Sequence, residues 1–112
     1  MAIKEKIIGD MAVLGISGKL MGGKETLEVH EKIKGLIADK IKKVVVDLSK
    51  VKWMNSRGLG VLMAGHTSLA NADGSLKISG ATEKVNSLLI ITQLITIFET
   101  YENADRAVAS FK

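Results

Sequence analysis

The chain has no cysteine and no proline among its 112 residues, and it has only one Trp, one Tyr, two Phe and two His. Without cysteine, disulfides, thiolate metal sites and thiol nucleophiles are excluded, and the expected compartment is a reducing cytoplasm. Without proline or a low-complexity tract no linker is visible, so the whole chain, residues 1–112, reads as a single domain. No apolar run reaches the roughly 18–20 residues of a membrane span. The opening "MAIKEKIIGD" lacks the apolar core and cleavage site of a signal peptide. No membrane partner is expected.

The shortage of aromatics also bears on the charge. The net charge is +4, and Lys40, Lys42, Lys43, Lys50 and Lys52 crowd either side of one apolar run. Nucleic-acid surfaces interleave such lysines with aromatics that stack on bases. Here only Trp53 lies near them, so the lysines read as a solvated rim and no nucleic-acid partner is expected.

Catalytic groups are equally sparse. His30 and His66 have neither a carboxylate nor a second histidine at ligand spacing, so no metal or cofactor is expected. His30 reads as an exposed helix residue and His66 as a packed or edge histidine. Glu28 and Glu31 fall on a charged helix face, where no pocket would raise one carboxyl for acid catalysis. The sequence contains no recognisable catalytic set and does not read as an enzyme.

What is present is a regular alternation of strand and helix patterns. "IKEKII" and "MAVLGIS" flank Gly9-Asp10, which predicts an antiparallel hairpin. "SGKLMGG" reads as a loop. Val29, Ile33, Leu36 and Ile37 recur at helical spacing between about Lys24 and Asp39. "VVVDL", Val44 to Leu48, is apolar on both faces, as suits a central strand covered by helices. A helix is predicted from Ser56 to about Ala72, with Leu59, Leu62, Met63, Leu69 and Ala70 on one stripe. "SLKISG" is the next strand, Glu83 to about Thr92 the next helix and "TIFETY" the last strand. Asn103 caps a closing helix that buries Ala104, Ala107, Val108 and Phe111. The order β-β-α-β-α-β-α-β-α predicts an α/β fold with a mostly parallel sheet, joined by right-handed crossovers and carrying an N-terminal antiparallel hairpin. Ile90 and Ile91 extend the third helix's apolar side beyond one stripe, a hint of a contact surface that core packing also explains.

"GKLMGGKE", Gly18 to Glu25, matches a phosphate-binding P-loop up to its last residue. There a P-loop needs a hydroxyl for magnesium, and Glu25 would instead set a carboxylate near the phosphates. Thr26 comes one residue late and points about 100° around the helix. The segment reads as a glycine-permitted turn, and nucleotide binding through it is not expected.

"WMNSRGLG", Trp53 to Gly60, is the most informative stretch. It places Ser56 at or next to the N-cap of the second helix, where a hydroxyl can accept from unpaired backbone N–H groups. Gly58 and Gly60 fall inside the first helical turn, where each glycine costs about 1 kcal/mol relative to alanine. Such glycines mark close approach of a neighbouring element or of a partner. A helix N-terminus also favours an added phosphate.

With its flanks, this stretch resembles the STAS domain family (sulfate transporter and anti-sigma factor antagonist), especially the small bacterial antagonists. The signature is an apolar strand ending in Asp, then D-S-[ST]-G-L-G; here it stands as "VVVDLSKVKWMNSRGLGVL". "GISGKL", "SLKISGATEKVNSLLIITQL" and "IFETYENADRAVASF" extend the resemblance over essentially the whole chain.

The resemblance implies a STAS-type single domain with about four helices and a non-enzymatic protein-binding switch. In that family an anti-sigma factor that is itself a serine kinase phosphorylates the motif serine, here Ser56. The unphosphorylated antagonist binds this kinase and so releases a sigma factor, and a metal-dependent serine/threonine phosphatase resets the switch. The docking surface carried over comprises Met21, Gly22, Gly23, Lys24, Asn55, Ser56, Arg57, Gly58 and Gly60. Three residues depart from the family pattern. Asn55 stands for aspartate, Arg57 for a small hydroxyl residue, and Met21 for an acidic residue, which makes the neighbourhood more basic. The resemblance leaves a second role open, that of a STAS scaffold subunit in a stress-sensing or lipid-transport complex without a phosphorylation switch. A monomer or weak homodimer is expected.

Overall fold

The computed structural model describes residues 2–112, apart from the side-chain surroundings of Glu25. The elements run β1 (Ala2–Ile8), β2 (Met11–Leu20), α1 (Lys24–Ala38), β3 (Lys43–Met54), α2 (Ser56–Asn71), β4 (Ser75–Ser79), α3 (Glu83–Ile91), a 3-10 turn (Leu94–Thr96), β5 (Glu99–Tyr101) and α4 (Ala104–Ser110). This is the α/β order read from the sequence.

The five strands form one sheet in the order β1-β2-β3-β4-β5. β1 pairs antiparallel with β2 from Ala2 opposite Ser17 to Ile8 opposite Met11, around the turn at Gly9-Asp10. The Asp10 carboxylate reaches Lys43 Nζ at 3.1 Å. The hydrogen bond and charge of that ammonium hold the Asp10 carboxyl below its ordinary range. The remaining strands are parallel to one another. Each neighbouring parallel strand follows the last in sequence, so right-handed crossovers put α1, α2 and α3 on one face. The burial agrees. Val44, Val46 and Leu48 of β3 join Val29, Ile33, Leu62, Leu69, Val85 and Leu89 in one core. Val45, pointing the other way, packs with Met11, Ala107 and Val108 in a second, smaller cluster under α4. The strand order has no reversal, so the crevice that opens at such a reversal in doubly wound sheets is not formed here.

Two segments differ from the sequence expectation. β2 runs on to Leu20 through most of the presumed "SGKLMGG" loop, and β3 runs on to Met54 rather than stopping at Leu48. They pair with each other beyond the end of β4, from Ser17 opposite Lys50 to Leu20 opposite Met54, with register shifts at Gly15/Ser17 and Gly18/Lys19. Each shift places an extra residue on β3, so its buried positions fall at Leu48, Val51 and Met54, every third residue. A period of three matches neither strand nor helix templates, which is why this half of the strand was illegible. The last strand is also shorter than "TIFETY" implies. A 3-10 turn takes up Leu94–Thr96, Phe98 drops into the core, and only Glu99–Tyr101 pair.

The closing helix begins as expected, with Asn103 Oδ1 accepting from Arg106 N at 2.9 Å. Ala107 and Val108 are buried, whereas Ala104 and Phe111 are only half-buried. The buried Lys77 holds this helix down. Its Nζ donates to Ser110 Oγ at 2.8 Å, lies 3.3 Å from Glu99 Oε2, and sits 4.2 Å from the centre of the Phe111 ring.

Candidate functional site

The extension of β2 and β3 carries both strands to one tip, where β2 hands over to α1 and β3 to α2. Asn55, not Ser56, is the N-cap of α2. Its Oδ1 accepts from Arg57 N at 3.0 Å and Gly58 N at 3.1 Å, satisfying two otherwise unpaired donors. Ser56 is the first residue of the helix proper and is exposed. Its hydroxyl makes no hydrogen bond among the described residues. The sequence put Ser56 at or next to the N-cap, and the structure makes it the residue after the cap, Asn55.

The same asparagine ties the two turns together. Asn55 Nδ2 donates to the Met21 carbonyl at 3.0 Å, and Asn55 N donates to the Leu20 carbonyl at 3.4 Å. Thr26 locks the other side of the loop. Its buried hydroxyl accepts from Gly22 N at 2.8 Å and donates to Gly22 O at 3.0 Å. Gly22 and Gly23 have φ of 104° and 84°, so glycine is needed there on backbone grounds alone. Gly22 has a second reason, because a Cβ on it would lie 2.9 Å from Arg57 Cδ. The Arg57 side chain therefore lies across the loop.

All the site residues named from the sequence fall on these two turns, but they do not all reach the surface. Met21, Gly23, Lys24, Ser56, Arg57 and Gly60 are exposed, Gly22 and Asn55 are half-buried, and Gly58 is buried. Gly58 answers to an internal neighbour, since a Cβ there would collide with the Leu20 carbonyl oxygen. Gly60 has open space beside it, and no internal contact requires glycine at that position.

Thr26 and Trp53 belong to this neighbourhood although their roles were missed. Thr26 stands three residues after the Gly-Gly pair, and its hydroxyl closes the turn at Gly22 rather than capping α1. Trp53 is half-exposed under Lys84, whose Nζ lies 4.9 Å from the ring centre. With Met54, Leu88 and Ile91 it lines an apolar depression of about 560 Å³ beside the tip. Ile90 and Ile91, flagged by the sequence, are 56% and 78% exposed.

The other candidates stay apart from such chemistry. In the P-loop-like segment, Gly18, Lys19 and Leu20 are strand residues paired with β3, which leaves only Met21–Gly23 as loop. Three residues are too few for a phosphate cradle. The Glu25 side chain, on which the sequence argument turned, lies outside the described residues. His30 Nε2 lies 3.2 Å from Ser68 Oγ, linking α1 to α2 rather than facing only solvent. His66 packs edge-on against Phe98 with its Nδ1 buried. Asp47 accepts from Ser49 and Ser79, a local structural role. Among the described residues no group of three or more His, Asp or Glu is placed to hold a metal ion. No helix among them is long and apolar enough to cross a membrane.

Comparison with known proteins agrees with this architecture. The chain is 33% identical over 76 residues to the anti-sigma-B factor antagonist of Listeria monocytogenes, a match spanning 68% of this chain and 61% of that protein. Its fold superposes on the anti-sigma factor antagonist SpoIIAA in the unphosphorylated form with a TM-score of 0.84 at 14% identity, covering 98% of this chain and 96% of that one. The phosphorylated form of the Bacillus cell fate determinant SpoIIAA gives a TM-score of 0.78 at 12% identity, covering 99% and 100%. The STAS domain description matches residues 2–107, and the chain belongs to the STAS domain family.

Proposed function

We propose that this chain is an anti-sigma factor antagonist, a cytoplasmic protein-binding switch whose docking is turned off by phosphorylation of Ser56. The observation that carries the reading is the division of labour at the start of α2. Asn55 does the capping, so the exposed Ser56 hydroxyl has no structural duty among the described residues. The first turn of α2 also contains no acidic residue, whereas those of α3 and α4 contain Glu83 and Asp105. A helix start without an acid is where an added anion is most stabilising. A phosphate on Ser56 brings about two negative charges to a turn that already carries Arg57, and the fold accommodates it.

In this reading the unphosphorylated tip binds an anti-sigma factor that is also a serine kinase, and a sigma factor is released. Met21, Gly23, Lys24, Arg57 and the open backbone at Gly60 make the contact. Gly22 and Asn55 shape it, and Gly58 lets the helix close onto Leu20 beneath it. Once phosphorylated, the serine meets the partner's nucleotide-bearing face with like charge. Desolvation and repulsion there cost about 3–4 kcal/mol, on the order of a 10²–10³-fold loss of affinity. A metal-dependent serine/threonine phosphatase resets the switch. The reading is supported by the antagonist names of the relatives and by the existence of SpoIIAA in both phosphorylation states.

The test is incubation with ATP and the cognate kinase, with the phosphate mapped by mass spectrometry. Label on Ser56, abolished in Ser56→Ala, is the expected result. Label elsewhere, or equal labelling of Ser56→Ala, would defeat the switch. A large assembly on size-exclusion chromatography that Ser56→Asp leaves unchanged would mark a scaffold instead.

A further inference from the structure

β1 is the outer strand of the sheet and pairs only with β2, so its other edge is unpaired along Ala2–Ile8. On the helix-covered side, a groove of about 490 Å³ runs between this strand and α1. Its apolar floor is Ile7, Leu36 and Ile41, and Ile7 is 47% exposed despite facing the same side as the core residue Ala12 opposite it. Its rim is Glu5, Glu28, Glu31 and Asp39 against the single cation Lys32. The groove is thus net acidic in a chain of net charge +4.

Gly35 also lines this groove, in the interior of α1. Glycine there costs about 1 kcal/mol relative to alanine. Nothing inside the protein requires it: its φ is not positive, and a Cβ would meet no atom within 4 Å. Charged residues on an edge strand are a common guard against unwanted pairing, and Lys4, Glu5 and Lys6 serve that purpose. Guarding explains neither the open helical glycine nor the half-exposed Ile7.

We propose that the groove between β1 and α1 receives an extended segment of a partner protein, bearing apolar and Lys or Arg side chains together at every second position, as an added strand on the free edge of β1. Backbone hydrogen bonds to β1 supply the affinity, as in other strand-addition complexes. Every second side chain faces the groove, and the apolar ones among them reach the floor formed by Ile7, Leu36 and Ile41, over the gap left by Gly35. Cations at other positions of that same face meet the carboxylates of Glu5, Glu28, Glu31 and Asp39. A second copy of this chain is a poor occupant. Two-fold antiparallel pairing of β1 centred on Lys4, Glu5 or Lys6 sets that residue against its own counterpart, with like charges opposed. The surface is independent of Ser56 and of the role assigned to it.

The experiment is selection of short linear peptides from a random phage-displayed library against the full-length protein. An enriched peptide is then titrated into isotope-labelled protein by NMR. Enrichment of sequences carrying apolar and basic residues at every second position is expected, with shift changes along Ile3–Ile8 and one face of residues 28–39. N-methylation of alternate peptide amides should lower affinity about tenfold or more by removing strand hydrogen bonds. Gly35→Gln should do the same by filling the groove while leaving the melting temperature no lower than that of the native chain. Failure to enrich any peptide, enrichment of acidic ones, shifts mapped elsewhere, indifference to N-methylation, or self-association through β1 would each overturn the proposal.

Discussion

The tip around Ser56 and the groove beside β1 are both built around helical glycines, but their surroundings differ in sign. The tip presents Lys24 and Arg57; the groove presents Glu5, Glu28, Glu31 and Asp39. The helical glycines also divide into two kinds. Gly58 is pressed against the Leu20 carbonyl, and Gly65, on the face of α2 toward α1, lies against Ile33. Gly60 and Gly35 face open space. The first pair serves folding. The second pair costs helix stability with no internal return, which is the pattern of a surface kept clear for something outside the chain.

That division can be broken most sharply at Gly58. Gly58→Ala should destabilise the domain by roughly 3 kcal/mol, the upper part of the range for overpacking, because the clashing atom is backbone. Chemical denaturation measures it, and an unchanged midpoint would show that the β2 end yields easily. Asn55→Ala comes next, at about 1–2 kcal/mol, since it removes both the α2 cap and the tie to Met21. Its amides at Arg57 and Gly58 should also exchange faster with solvent. Gly60→Ala and Gly35→Ala should act in the opposite direction, each raising stability by about 0.5–1 kcal/mol. A loss on either substitution would mean that the open space is not open. The smallest effect concerns Asp10, whose carboxyl lies below its ordinary range because of Lys43. A depressed folded-state value gives stability that is present above the unfolded-state value and lost as pH falls through the folded one. Lys43→Met should move the Asp10 titration, followed by NMR, upward toward the ordinary carboxylate value.

Much of the site was legible without coordinates. The motif serine, the two turns and the residues carried over from the family all lie at one tip because chain order alone brings the ends of β2 and β3 together. The sequence left the cap between Ser56 and Asn55. Asn and Ser are both good N-caps, and one residue of register decides between them. Here that choice separates a serine used for structure from one left exposed. Lys77 shows the opposite difficulty. A lysine in "SLKISG" reads as the solvent side of a strand, yet it is buried because α4 folds back over that face with Ser110 and the following Phe111, while β5 supplies Glu99 as its ion-pair partner. Local pattern has no access to what a later helix covers.

By itself, the sequence determined the element order, the parallel sheet and the hairpin, because apolar periodicity and turn chemistry are local properties of the chain, and its motif carried the resemblance to the family. Only the tertiary structure decided how far β2 and β3 extend, which residue caps α2, and which glycines are packed and which are open. Each of these depends on atoms brought close from distant parts of the chain. Bulged pairing hides a strand's period, and the space beside a glycine is set by its neighbours rather than by the glycine.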